Sequence, residues 1–160
     1  MSRRFRVLFV CMGNICRSPT AHGVFRQKIS DAGLAEDIEV DSAGTHNFHP
    51  GSPPDRRSQA HAAKRGYDFS DLRARQIRGA DFEYYDLILV MDAENLAAVG
   101  AVCPSPHRGK IRRLTEYCLR YIGSDEVPDP YYGSAQEFER ALDLVEDACD
   151  GLMQQLRARS

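Results

Sequence analysis

Four short runs of strand-forming residues, each separated from the next by a helical or loop segment, constrain this chain most strongly. Residues 5–10, rich in Val, Phe and Leu, read as a buried strand. Residues 38–42 alternate and read as a second strand. Residues 86–91 are the most apolar and read as a third, and residues 110–114 as a weaker fourth. After the first run, Ser18 suits a helix N-cap with Pro19 at the first helical position. Ala21, Val24, Phe25, Ile29 and Ala32 supply the apolar stripe of that helix, and Gly33 suits its end. Asp55 can cap a helix running to about Arg65 and closed by Gly66, and residues 93–99 suggest a short helix. From Ser134 to about Arg157, Phe138, Ala141, Leu142, Val145, Ala148, Cys149, Leu152, Met153 and Leu156 recur at helical spacing. Strands alternating with helices predict an α/β fold, a mostly parallel sheet with helices on both faces. The 160 residues suit one domain with a single core, spanning 1–160, and carry no internal repeat or linker.

Composition narrows the classes of function. An apolar fraction of 42% is that of an ordinary globular protein, and a net charge of −2 gives no basic field to recruit nucleic acid. The longest apolar runs, residues 7–12 and 87–91, are too short to span a bilayer, so no membrane role is expected. The start, residues 1–6, is basic but is followed by no signal-peptide core, and the chain reads as intracellular and cytoplasmic. The five cysteines, Cys11, Cys16, Cys103, Cys118 and Cys149, are odd in number and include no Cys-x-x-Cys pair. Neither a disulfide framework nor a zinc site is expected, and no metal or cofactor is called for. One reactive thiol among buried ones is the simpler reading.

That thiol is best sought where the first strand ends. In open α/β folds ligands bind beyond the carboxyl ends of strands, where loops run into helix N-termini. Residues 11–18 occupy that position and have the form Cys-x5-Arg-Ser, with Gly13 and Asn14 suited to unusual backbone angles. Backbone N–H groups in such a turn can cradle an anion. Arg17 can add a planar fork matched to two phosphate oxygens. A Cys11 thiolate beneath the bound phosphate would be a nucleophile for phosphoryl transfer. The nucleotide-binding patterns Gly-x4-Gly-Lys and Gly-x-Gly-x-x-Gly are missing.

The stretch from Val7 to Thr20 resembles the signature of the low-molecular-weight protein tyrosine phosphatases. Asp41-Ser-Ala-Gly-Thr45, Ala74-Arg-Gln76, residues 86–92 and Asp129-Pro-Tyr-Tyr-Gly133 are similar to further family segments, in the family's order. The resemblance covers nearly the full chain and implies a flavodoxin-like, doubly wound sheet of four parallel strands. It implies Cys11 as nucleophile, Arg17 as phosphate clamp and Asp129 as general acid and then base, acting on a phosphotyrosine protein through a phosphocysteine and releasing inorganic phosphate. Residues Met12, Gly13, Asn14, Ile15, Cys16 and Ser18 would bind the phosphate group. Asn14 would fix the loop shape, Ser42 would hydrogen-bond to Asn14, and Ser18 would donate to the Cys11 thiolate. Phe48 and Tyr131 would wall an aromatic slot that favours a flat phenyl ester. The resemblance also implies a redox pairing of Cys16 with Cys11. One departure stands out. Relatives often carry a histidine shortly before the Ala-Arg-Gln segment, where this chain has Leu72, and His46 and His49 read as exposed loop residues.

The alternative on the same fold is an arsenate reductase, which relays a disulfide through two further cysteines close together. Cys103 and Cys118 lie far apart in sequence, and the Asp-Pro-Tyr-Tyr segment belongs with the phosphatases.

Overall fold

The computed structural model describes residues 4–158. Residues 1–3 of the basic start read at residues 1–6, and residues 159 and 160 of the expected domain, fall outside them. Four strands, β1 (Phe5–Cys11), β2 (Ile38–Gly44), β3 (Leu87–Val90) and β4 (Ile111–Arg113), form one sheet in the order β2-β1-β3-β4, every neighbouring pair parallel. Five helices accompany them: α1 (Arg17–Asp31), α2 (Arg56–Ala63), α3 (Gly79–Tyr84), α4 (Ala93–Val102) and α5 (Ala135–Ala158). The expected doubly wound α/β architecture of four parallel strands is present.

The period of two in β1 divides the core. Val7, Phe9 and Cys11 face α1, α2 and α5, where they meet Val24, Phe25, Ala62, Leu142, Val145 and Leu152. Phe9 and Phe25 pack edge to face at 5.8 Å between ring centroids. Leu8 and Val10 face the other way, with Ile88 and Val90, onto Phe82, Tyr85, Val99 and Cys103 of the α3 and α4 side. Cys103 and Cys118 lie in different core clusters, on opposite faces of the sheet, so this fold does not bring them together as a disulfide relay.

Several boundaries differ from the sequence expectation, each for a physical reason. α1 begins at Arg17 with Cys16 at the N-cap position, and no side chain caps it. Ser18 is therefore not the cap, because its hydroxyl is turned inward to the loop before it. Asp55 does cap α2, accepting from the N–H groups of Arg57 and Ser58. Gly33 and Gly66 both take positive φ just past their helices. α3 was not expected: it is six residues long, and its start is held by Asp81 Oδ2 accepting from the Arg78 N–H at 2.7 Å. The 3-10 turns Ser105–Lys110 and Leu114–Tyr117 are likewise too short to show a period. α5 docks closely on the second turn. A Cβ on Gly151 would lie 1.7 Å from the Tyr117 carbonyl oxygen, and the Asp147 carboxylate accepts the N–H groups of Leu119, Arg120 and Tyr121.

Candidate active site

β1 is central, with β2 on one side and β3 on the other, so its carboxyl end is the point where the chain's crossovers diverge. Cys11 is the last residue of β1 and Arg17 the first of α1, and residues 12–16 make the loop between them. Among the described residues, no backbone N–H of residues 12–16 has a protein acceptor. Buried N–H groups are rarely left so. A ring of them at a helix N-terminus is suited to an anion.

The loop is held from outside. Thr45 N–H donates to the Cys11 carbonyl at 2.9 Å, His46 N–H to the Met12 carbonyl at 3.0 Å, and Asp55 N–H to the Ile15 carbonyl at 2.8 Å. Gly44 lets β2 run this close: a Cβ there would meet the Met12 carbonyl oxygen at 2.8 Å and the Asn14 nitrogen at 3.2 Å. Asn14 takes φ +57°, the left-handed region that Asn tolerates better than most residues. Its amide fixes that turn at both ends. Oδ1 accepts from the Arg75 N–H at 3.0 Å, and Nδ2 donates to Ser18 Oγ at 2.8 Å. Ser18 Oγ stands 3.1 Å from Cys11 Sγ.

Asn14 and Ser18 are thus buried beneath the loop, supporting it, and do not line the cleft above it. Ser42 is also placed differently from expectation. Its hydroxyl hydrogen-bonds His22 Nδ1 at 3.1 Å, not Asn14, because the Asn14 amide is already engaged by Arg75 and Ser18. His22 comes from α1, while Leu72, at the position where relatives often carry a histidine, packs against the core.

Arg17 is almost fully buried. Its Nη1 donates to Asp92 Oδ2 at 2.5 Å and to the Val127 carbonyl at 3.1 Å, and its Nη2 lies 3.7 Å from Asp129 Oδ2. Burial opposes the guanidinium charge. The negative charges of a Cys11 thiolate, Asp92 and Asp129 outweigh it and hold the guanidinium more firmly protonated than usual. Asp92 is a site residue that sequence reasoning noted only as the end of a family segment. One of its oxygens orients Arg17 and the other caps α4, accepting from Asn95 N–H at 2.7 Å.

Above the loop is a cleft of about 310 Å³, lined by Cys11, Met12, Gly13, Ile15, Cys16 and Arg17 below. Asp129, Tyr131 and Tyr132 form one wall, and Phe48 and His49 the other. Asp129 is partly exposed, and its Oδ1 accepts from the Tyr131 N–H at 3.1 Å, which sets the turn of the Asp-Pro-Tyr-Tyr segment. Arg57 lies over the Tyr131 ring at 5.4 Å and the Phe138 ring at 4.7 Å, bracing the first wall. Phe48 stacks on His46 at 4.8 Å. His49, expected to be a bystander, lines the cleft instead. A Cβ on Gly13 would lie 3.4 Å from its Cδ2 atom. Such a site can hold a phosphate on the loop amides and Arg17, with an aromatic ester between the walls.

The model of the family described as low molecular weight phosphotyrosine protein phosphatase matches residues 6–160. A low molecular weight protein-tyrosine-phosphatase of Streptomyces coelicolor is 44% identical over 155 residues, covering 96% of this chain and 94% of its own. The Homo sapiens low molecular weight phosphotyrosine protein phosphatase is 36% identical over 154 residues, covering 92% and 93%. A crystal structure of a protein tyrosine phosphatase from Entamoeba histolytica, with Hepes in the active site, superposes with a TM-score of 0.92 at 38% identity over 96% of this chain and 97% of its own. The chain belongs to the low molecular weight phosphotyrosine protein phosphatase family.

Proposed function

We propose that this enzyme hydrolyses phosphotyrosine in protein substrates by a double displacement at Cys11, releasing inorganic phosphate. The observation that carries the reading is one cleft floored by the Cys11 thiol, the unpaired loop amides and Arg17, with the Asp129 carboxyl on its wall. The Cys11 thiolate attacks phosphorus in line, forming the S–P bond as the P–O bond to the phenol breaks. Asp129 delivers a proton to the departing phenolate oxygen. A water then attacks phosphorus and gives its proton to Asp129. The S–P bond breaks, and its electron pair returns to Cys11. Arg17 and the amides of Met12, Gly13, Ile15 and Cys16 hold the equatorial oxygens through both steps. Ser18 stabilises the sulfur as it leaves. Phe48 and Tyr131 sandwich the phenyl ring, and an aromatic-walled slot favours a flat tyrosine ester over a short serine one.

The test uses the leaving group. Cys11→Ser should abolish turnover of phenyl phosphate yet still bind inorganic phosphate, because a serine hydroxyl is not ionised near neutral pH while the cradle is unchanged. Asp129→Asn should slow phenyl phosphate hydrolysis by roughly 10²–10⁴. That loss should shrink for esters of strongly acidic phenols, which leave without a proton. Turnover by Cys11→Ser within tenfold of wild type sinks the nucleophile, and an equal loss across leaving groups sinks the acid.

A further inference from the structure

We propose that His22, on α1 and outside the cleft, is a positioning residue for the second displacement: it anchors Ser42 at the end of β2 so that the Ser18 hydroxyl stays aimed at Cys11. The inference rests on the reading of Cys11 as nucleophile and adds a residue to it.

Ser18 Oγ has three polar neighbours: Asn14 Nδ2 at 2.8 Å, Cys11 Sγ at 3.1 Å and the Ala43 carbonyl at 3.3 Å. An amide nitrogen can only donate, so Ser18 accepts from Asn14. The single hydroxyl proton is then contested between the sulfur and the Ala43 oxygen. The position of that carbonyl decides how much of the proton the sulfur receives. Ala43 follows Ser42, whose side chain is buried and whose hydroxyl is paired with His22 Nδ1 at 3.1 Å. The other side of the same strand end is fixed too. Ser42 N–H donates to Asp41 Oδ1 at 2.8 Å, and Asp41 Oδ2 accepts from Arg75 Nη2 at 3.2 Å. Arg75 in turn gives its backbone N–H to Asn14 Oδ1 at 3.0 Å. Two hydrogen-bonded paths, one through His22 and one through Arg75, therefore converge on Ser18. His22 is itself buried, and burial keeps its imidazole neutral near pH 7. A neutral ring suits a bond to a hydroxyl.

The consequence falls on one step. In the first displacement Cys11 supplies electrons, and a donor on sulfur gives it no help. In the second, the S–P bond breaks and negative charge collects on sulfur, where the Ser18 proton stabilises it. Loss of the anchor should therefore slow phosphocysteine hydrolysis and leave its formation nearly unchanged.

The experiment compares wild type, His22→Leu, His22→Asn and Ser42→Ala on an aryl phosphate, with steady-state kinetics and acid-quench measurement of the phosphocysteine. Asn places a polar atom where His has Nδ1. His22→Leu should lower kcat by roughly 10- to 100-fold, up to the scale of a 1 Å misplacement at a reacting centre. KM should fall in parallel, kcat/KM should stay within threefold, and phosphocysteine should accumulate. His22→Asn should restore most of kcat, and Ser42→Ala should match His22→Leu. A kcat within twofold of wild type in both His22→Leu and Ser42→Ala overturns the proposal. So does a fall in kcat and kcat/KM together without accumulation, or an Asn variant as slow as Leu. If His22→Leu fails to fold, Ser42→Ala and His22→Asn carry the same outcomes. Absence of any phosphocysteine in wild type would overturn the nucleophile itself, which separates that failure from failure of His22 alone.

Discussion

At the scale of single residues, Cys16 shows how a local environment sets reactivity. It lies inside the phosphate loop, lines the cleft and is buried, and burial with the nearby Asp55 carboxylate pushes its thiol up to about 12. It is therefore a neutral, inert thiol at pH 7, whatever Cys11 does. Peroxide would oxidise a Cys11 thiolate to the sulfenic acid with release of hydroxide. Cys16 could close a disulfide onto it only after losing its proton, with hydroxide leaving the Cys11 sulfur. If the pair protects the enzyme, brief peroxide treatment followed by dithiothreitol should restore activity. The recoverable fraction should rise with pH from 6 to 9, because the thiolate fraction of Cys16 rises about tenfold per unit in that range. Peptide mass spectrometry should show the Cys11–Cys16 linkage before reduction, and Cys16→Ser should lose activity permanently. Full recovery of Cys16→Ser would mean that Cys16 only packs beneath the loop.

At the scale of elements, the site depends on three strand ends meeting one helix start. Asp92 makes that dependence testable, because it joins β3, α4 and α1 with one carboxylate. Asp92→Asn can keep the Oδ1 cap on α4 but turns an NH₂ group toward Arg17 Nη1. It should therefore cost activity well before it costs the helix. Phosphate inhibition should weaken and kcat/KM fall by at least tenfold, and Tm should fall less than in Asp92→Ala, because the buried Arg17 loses its charge partner while the α4 cap is kept. Asp92→Ala should lose both, since removing one partner of a largely buried pair costs on the order of 3–5 kcal/mol, or roughly 6–20 °C in Tm at 2–4 °C per kcal/mol. Equal kcat/KM in Asp92→Asn and wild type would show that Arg17 needs no such hold. This residue also marks the limit of what the sequence makes legible. β1, β3 and α5 are long or apolar enough to declare themselves. The segment from Cys11 to Ser18 announces its chemistry through Cys-x5-Arg following a strand. The partners of that segment do not: Asp92 and Arg75 lie 75 and 58 residues from Arg17 in sequence and meet it only in the fold, and His22, five residues along α1, acts only through Ser42 of β2. His22 sits one position off the apolar stripe of α1, where a histidine reads as a surface residue until β2 is laid beside it. Ser18 looks like a cap because the pattern Ser-Pro fits one, and only the inward turn of its hydroxyl shows otherwise.

At the scale of the whole molecule, burying a histidine inside the support of the active site ties stability to pH. His22 is held near 4, well below the ordinary histidine value, chiefly by burial and further by the Arg26 and Arg75 charges, with Asp41 and Asp71 pulling the other way. An unfolded chain takes up this proton as pH falls through about 6.5, while the folded one refuses it until about 4. Between those limits the unfolded state binds more protons, so unfolding free energy must fall as pH falls, by up to about 1.4 kcal/mol per pH unit. The carboxylates act elsewhere. Asp55, Asp68, Asp71 and Glu139 are held below their ordinary values by hydrogen bonds and by Arg26, Arg57 and Arg65, so their stabilisation is intact above the usual carboxylate range and is lost only below it. The interval from pH 6.5 to about 5 therefore isolates the histidine contribution. His22→Asn keeps a polar atom against Ser42 and has nothing to titrate. Thermal unfolding followed at pH 7.5, 6.5, 5.5 and 5.0 should show wild type losing several degrees of Tm more than His22→Asn across that interval, in line with roughly 2–4 °C per kcal/mol for a chain of this size. The two curves should converge toward a constant offset above pH 7, where His22 is neutral in both states. Parallel curves throughout would mean that His22 takes up its proton in the folded protein as readily as in the unfolded one, and that the buried, neutral imidazole beneath the phosphate loop is wrong.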